Sequence, residues 1–333
     1  MRIDLGAVRQ NVRRLLAELG GAELWAVVKA NAYGHGAVDC GGAALGAGAT
    51  ALCVATVPEA LELRVALPDA RLLVLGPASP AEVAQARDAR LELVVSGEIP
   101  DGVTVHVKLD TGMGRWGMSE LVTPTRDVVG VMTHLATADT DLGFARLQVE
   151  RFRQATADHP ELTRHVANSA ATLRLREARF DAARCGIAVY GLSPFTTDAA
   201  ADGLVPVLSW RSEVALTKLL HAGESTGYGR LFVAEHDTWI GIVPVGYADG
   251  FRRDLDRAEV LVAGERRRVV GAVSMDAIAV ELEEQVPLGT PVTLIGAGLP
   301  LEELARAAGT ITHDFASGIA SRPTRAHRVV VDR

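Results

Sequence analysis

Between Trp25 and Tyr190 eight short runs rich in β-branched residues and leucine recur: LWAVVK, TALCVA, RLLVLG, LELVVS, VTVHVKLD, VVGVMTHL, TRHVANS and RCGIAVYG. Segments with helical spacing separate most of them: VDCGGAALGAG, PEALELRVAL, SPAEVAQARDA, LGFARLQVERFRQATAD and SAATLRLREA. Pro58, Ser79 and Pro80 stand where helix starts prefer them. Strands that alternate with helices call for a parallel sheet with right-handed crossovers, and eight is the number that closes a (β/α)8 barrel. The expected fold is α/β, with an N-terminal TIM-like barrel. Two connections, 97–102 and 119–127, are too short for a full helix, which keeps an open sheet as the alternative. Ahead of the first run, IDLGAVRQNVRRLLAELGG puts Leu5, Val8, Val12, Leu15, Leu16 and Leu19 on one helical face, with Asp4 as N-cap and Gly20 as stop.

After about Gly203 the texture changes to alternating strands and glycine turns: VLSWRSEVALTKLLHAGE, TWIGIVPVGYADG, AEVLVAGERRRVVGAVSMDAIAVEL and TPVTLIGAG, with one helix at PLEELARAAG. The small, polar stretch SPFTTDAAADG, Ser193 to Gly203, reads as a linker. Two domains are expected, a barrel over 1–203 and a C-terminal mostly β domain over 204–333.

Composition narrows the function. No apolar run reaches the roughly 18 residues needed to span a bilayer, and mean hydropathy is +0.18. The opening MRIDLGAVRQ has no apolar stretch of secretory type, so a cytoplasmic location is expected. Cys40, Cys53 and Cys185 form no metal-ligand spacing and suit reduced thiols; neither disulfide nor metal is expected. A net charge of −7 argues against nucleic acid as partner, which leaves a small molecule. GAGATA, the nearest approach to a dinucleotide fingerprint, precedes a strand instead of following one.

Arginine supplies all but three of the 34 basic residues; the lysines are Lys29, Lys108 and Lys218. A chain this biased keeps lysine where arginine will not serve, because a buried amine can lose its proton and form a Schiff base whereas a guanidinium stays charged. In a parallel barrel, chemistry collects at the C-terminal ends of the strands. Lys29 ends the first, Arg115 follows the fifth, His134 ends the sixth, Asn168 and Ser169 end the seventh, and Arg184 and Gly186 lie in the eighth. Arg115 suits a carboxylate clamp. Ser169, at a helix start, would either bind phosphate with the Gly186 and Ile187 amides or simply cap the helix. His134 with Asp139 and Asp141 matches no metal motif.

Eight motifs in order, VVKANAYGHG, KLDTGMGRWG, THLATAD, HVANSAAT, RCGIAVYGL, GYGR, VPVGYADGF and VSMD, span nearly the whole chain, which thereby resembles the bacterial alanine racemase family. The resemblance implies pyridoxal 5'-phosphate as cofactor, a homodimer with shared active sites, and D-alanine supply for peptidoglycan. It makes Lys29 the cofactor lysine and one catalytic base, and Tyr228, contributed by the partner subunit, the other. Tyr33 would reach the phosphate together with Asn168, Ser169, Gly186 and Ile187. Arg184 would meet the pyridine nitrogen, with His134 bonded to it and His165 near the phosphate turn. Arg115 and the Met275 N–H would hold the substrate carboxylate, Tyr247 and Asp276 would line the entrance, and Lys108 matches a position carbamylated in some members. One departure stands out: His313, with Asp314 after it, replaces a tyrosine that normally contacts phosphate. A racemase of another small or basic amino acid is the nearest alternative, because motifs do not encode pocket shape. A decarboxylase of the same fold would leave Tyr228 unexplained, and a cofactor carrier would need only the barrel.

Overall fold

The computed structural model describes residues 1–121, 124–320 and 325–332. Val122 and Thr123 of the short connection 119–127, and residues 321–324 of the C-terminal segment, lie outside the described residues. The chain divides into two compact units, Leu5–Val205 and the pair Met1–Asp4 with Pro206–Arg333.

In the first unit α1 (Leu5–Leu19) buries Leu5, Val8, Val12, Leu15 and Leu19, the face that the sequence spacing picks out. Asp4, the residue immediately before α1, also ends a short strand, β1 (Arg2–Asp4), which belongs to the other unit. Eight parallel strands follow: β2 (Glu23–Val27), β3 (Ala51–Val54), β4 (Leu72–Val74), β5 (Glu92–Val95), β6 (Val105–Lys108), β7 (Val128–Met132), β8 (Thr163–His165) and β9 (Ala182–Cys185). They form a closed barrel, because β9 pairs back onto β2 in the register Glu23↔Ala182 to Ala26↔Cys185, so the open-sheet alternative falls. Between them lie α2 (Lys29–Tyr33), α3 (Ala37–Gly46), α4 (Val57–Ala66), α5 (Pro80–Asp88), α6 (Leu142–Ala155) and α7 (Ser169–Arg174). Thr56 with Glu59 and Ser79 with Glu82 close reciprocal capping boxes at α4 and α5. Trp25, Val27, Cys53, Leu73, Val94 and Met132 pack together as a core cluster; fully burying each large apolar side chain contributes about 1.5–3 kcal/mol.

The eighth run is shorter than its sequence suggests. Gly186 leaves the strand at φ −112° and ψ −87°, and Ile187–Tyr190 form a 3-10 turn, so Gly186 lies just past β9 and not within it. An apolar 3-10 turn buried on every side has the same composition as a buried parallel strand.

The second unit holds β10 (Leu208–Glu213), β11 (Leu216–Leu220), β12 (Ser225–Thr226), β13 (Phe232–Val233), β14 (Thr238–Val243), β15 (Glu259–Val262), β16 (Glu265–Val270), β17 (Ile278–Leu282), β18 (Pro291–Ile295) and β19 (Val329–Val331). With β1 they build a nine-stranded sheet in the order β11-β14-β17-β16-β15-β18-β10-β1-β19, plus a β12-β13 ribbon. Two helices accompany it, α8 (Leu301–Ala307) and α9 (Thr312–Gly318), where the sequence suggests one. α9 has no side-chain cap at its start.

Candidate active site

The geometry around Lys29 begins with backbone strain. Ala30, Asn31, Ala32 and Tyr33 have φ of 50°, 52°, 55° and 53°, a left-handed turn made of non-glycine residues. Such a conformation costs roughly 1–2 kcal/mol per residue and persists only where the surroundings enforce it. Here the Ala32 N–H donates to the Val28 carbonyl at 2.8 Å and the Ala37 N–H to Asn31 Oδ1 at 2.9 Å. The Ala30 N–H donates to Glu59 Oε1 at 2.7 Å. Lys29 is thereby set at the strand end with its amine turned towards the neutral form, first by burial and then by the charge of Arg115.

Lys29 stands in a cationic group. Burial, followed by Arg115 and Arg184, lowers Lys108 to about 8. Lys108 Nζ and the Arg115 guanidinium lie 5.6 and 5.1 Å from the Trp116 ring centre. His134 is pushed down to about 3 by burial and by Arg184, Lys108, Arg115 and Lys29, so it stays neutral. Four cations gathered around a neutral imidazole form a receptor for anions.

Arg184 is buried, and burial lowers it to about 10, so it remains a cation. One guanidinium nitrogen donates to the His165 carbonyl at 2.6 Å and contacts His165 Nδ1 at 2.8 Å. The other donates to the carbonyls of Thr133 at 2.8 Å and Val166 at 3.3 Å, with His134 Nδ1 at a long 3.5 Å. A guanidinium only donates. His165 Nδ1 must therefore accept, which puts the proton on Nε2, and that nitrogen faces His106 Nδ1 at 2.9 Å. His106 Nε2–H in turn donates to Glu92 Oε2 at 2.9 Å, and Arg71 holds the same carboxylate through Nε at 2.7 Å and its terminal nitrogen at 3.0 Å. From Arg184 through His165 and His106 to Glu92 the donors all point one way, and Arg71 donates to the same carboxylate from the opposite side, which closes the relay beneath the mouth. His165, expected beside the phosphate turn, commits both ring nitrogens to this relay.

Asn168, not Ser169, caps α7, through a bond from the Ala171 N–H to Asn168 Oδ1 at 3.0 Å. Ser169 Oγ is left to accept the Gly186 N–H at 3.1 Å and the Ala188 N–H at 3.4 Å. Ile187, first in its turn, has an N–H without an intrahelical partner. Tyr33 closes this pocket so tightly that a Cβ on residue 186 would lie 2.5 Å from its hydroxyl, which explains a glycine there. Hydroxyls and amides converging beside the cations fit a phosphate group, and Lys29 fits its aldehyde partner.

In the C-terminal unit Tyr228 opens a 3-10 turn after Gly227 and is 72% exposed. Met275 and Tyr247 are also exposed, on two turns that grip each other: the Tyr247 N–H donates to the Ser274 carbonyl at 3.0 Å and the Ala248 N–H to that of Met275 at 3.1 Å. Gly246 permits this, because a Cβ there would meet the Ser274 and Met275 oxygens at 2.3 and 2.4 Å. Arg325 ties the same turns from outside, reaching Asp249 at 2.9 Å and Asp276 at 2.8 Å. His313 sits in the first turn of α9, half-buried.

Sequence reasoning missed Glu59, Arg71, Glu92, His106 and Arg325. A signal existed for two of them: Glu92 and His106 are polar residues inside otherwise apolar parallel strands, LELVVS and VTVHVKLD.

The Alanine racemase, N-terminal domain family matches residues 3–194, and the Alanine racemase, C-terminal domain family residues 207–327. Alanine racemase 1 of Bacillus subtilis is 40% identical over 356 residues, covering 97% of this chain and 91% of that protein. The alanine racemase of Symbiobacterium thermophilum is 41% identical over 97% of this chain and 95% of its own. The crystal structure of alanine racemase from the D-cycloserine-producing Streptomyces lavendulae superposes with a TM-score of 0.92 at 37% identity, covering 99% of this chain and 96% of that one.

Proposed function

The chain belongs to the alanine racemase family and is an amino-acid isomerase, and from that premise we propose that it interconverts L- and D-alanine by two bases, Lys29 and Tyr228. The observation that carries this reading is Lys29: an amine held by a strained turn and driven by burial towards the neutral form in which it takes a proton. Lys29 Nζ serves one face of the substrate Cα and Tyr228 Oη the other. Removing hydrogen from one side while returning it on the opposite side inverts the centre without turning the substrate over. The exposure of Tyr228 on its own subunit supports its being supplied to the barrel of a second copy, in a two-fold homodimer.

Pyridoxal phosphate, when bound, takes up the electron pair left at Cα. Tyr33, Asn168, Ser169, the Gly186 and Ile187 amides and His313 would hold its phosphate, and Arg184 would face its ring nitrogen with His134 and His165 behind. A guanidinium offers donors and no acceptor, so Arg184 would favour an unprotonated ring nitrogen and a weak electron sink, which would suppress side reactions. Arg115 and the Met275 N–H position the substrate carboxylate, while Tyr247 and Asp276 line the way in. Arg115 disfavours the charge on Lys108, and a carbamate on Lys108 would turn that repulsion into attraction. The product D-alanine would serve cell-wall precursors in the cytoplasm.

Incubating the protein and pyridoxal phosphate with L-alanine in deuterium oxide tests the reading: Cα-deuterated D-alanine is expected. Lys29→Ala should lose cofactor absorbance, and Tyr228→Phe should keep it but fail to deprotonate the L-isomer. Normal racemisation by Tyr228→Phe would refute the two-base assignment.

A further inference from the structure

We propose that Glu59 is a positioning residue for Lys29, acting through the backbone of Ala30; the inference rests on Lys29 being the cofactor lysine. Glu59 occupies the third position of α4. Its Oε2 accepts the Ala55 N–H at 2.7 Å and the Thr56 N–H at 3.3 Å, and Thr56 Oγ1 accepts the Glu59 N–H at 3.4 Å. That arrangement already completes a capping box. Oε1 has a separate task, accepting the Ala30 N–H at 2.7 Å. Ala30 follows Lys29 directly and is the first left-handed residue of the turn, so one carboxylate joins the helix start to the strained segment that aims the lysine.

Both oxygens of Glu59 accept from N–H donors, whereas a glutamine offers one oxygen and one NH2. Glutamine can still complete the capping box, since that position takes Glu or Gln, but its amide NH2 must then point at the Ala30 N–H. Glu59→Gln therefore breaks the Ala30 arm and spares the helix cap. Thr56→Ala does the reverse. Charge adds a second effect. The groups acting on Lys29 are Arg115 after β6, Cys53 on β3 and Glu59 on α4, with Lys108 at the end of β6 and His134 after β7 coupled to it. Glu59 favours the charged amine, so its neutralisation moves the Lys29 titration to lower pH.

The test uses the full chain stripped of cofactor and titrated with pyridoxal phosphate, reading the dissociation constant and the pH midpoint of capture for Glu59→Gln, Thr56→Ala and Lys29→Ala. Above the midpoint Glu59→Gln should bind roughly three- to tenfold more weakly, the loss of one hydrogen bond to a charged acceptor partly replaced by water, and its midpoint should fall. Thr56→Ala should change neither. If Glu59→Gln matches the unaltered chain, or Thr56→Ala reproduces its behaviour, Glu59 is only a helix cap and the inference is overturned. Undiminished capture by Lys29→Ala would overturn the reading of Lys29 as well, so the two failures are told apart.

Discussion

Glu92 anchors the buried relay, and replacing it with glutamine tests whether the relay is directional. Burial alone would raise its carboxyl, but hydrogen bonds from His106 and Arg71 hold it down at about 2 against an ordinary 4.5. Holding this carboxyl at about 2 against an ordinary 4.5 corresponds to roughly 3 kcal/mol of stability, present above pH 4.5 and lost as pH falls towards 2. The geometry gives a similar figure, because removing one partner from a buried ion pair costs about 3–5 kcal/mol. Glutamine keeps the volume and can accept from His106 Nε2–H, but its NH2 then confronts the Arg71 donors. Glu92→Gln should lower stability by about 3 kcal/mol at pH 7, or about 6–12 °C in the melting temperature of a unit the size of this barrel. Nitrogen-15 NMR of the histidines supplies a second readout: His106 and His165 should both carry their proton on Nε2 in the unaltered chain, and the variant should show exchange broadening or mixed tautomers. A stability change under about 0.5 kcal/mol, or a proton on His165 Nδ1 in the unaltered chain, would refute the relay.

Two further perturbations probe the turns. Ala32→Val, a β-branched residue at a buried position with φ 55°, should destabilise by about 2–4 kcal/mol from left-handed strain and overpacking, whereas Ala30→Gly should be nearly neutral; chemical denaturation measures both. Arg325→Gln leaves Asp249 and Asp276 without their shared cation beside the Met275 N–H, so KM should rise for both alanine isomers with little change in kcat, and Asp276→Asn in the same chain should restore part of the loss.

The barrel is legible in the sequence because strands buried on both faces mostly read as continuous apolar runs, and each of the eight runs overlaps a strand. The same property hides where a run ends, which is why RCGIAVYG looks like one strand when Gly186 turns the chain into a 3-10 segment. α9 escapes notice for the opposite reason: THDFASG is short, polar and lacks a side-chain cap. Residues that chemistry singles out one by one, Lys29, Arg115, His134 and Arg184, are found from strand ends. Glu92, His106 and His165 become a unit only when the barrel brings β8 within reach of β6 across the intervening β7, and spacing carries no trace of that. Glu59 shows a further limit, because its capping box can be read locally while its second oxygen belongs to a turn 29 residues away.

The neutrality of the buried histidines has a consequence for acid stability. His134 is held near 3, His165 well below its ordinary 6.5, and His106 below it too, each first by burial; Arg184 is the next cause for His134 and His165, and for His106 burial prevails although Glu92 pulls the other way. When the folded pKa lies below the unfolded one, the unfolded chain binds the proton first. Stability is therefore complete above about pH 6.5 and is lost as pH falls below it. Between pH 6.5 and 5.5 His134 and His165, held furthest down, each remove about 1 kcal/mol, about 2 kcal/mol together, and His106 adds to the same slope. Glu92 adds nothing until pH drops below about 4.5, so the loss should begin two units above the range where carboxylates titrate. Urea unfolding at pH 7.5, 6.5 and 5.5 measures this slope. Equal stability at pH 7.5 and 5.5 would mean that the histidines gain protons inside the folded barrel, and His165 could not then accept from Arg184.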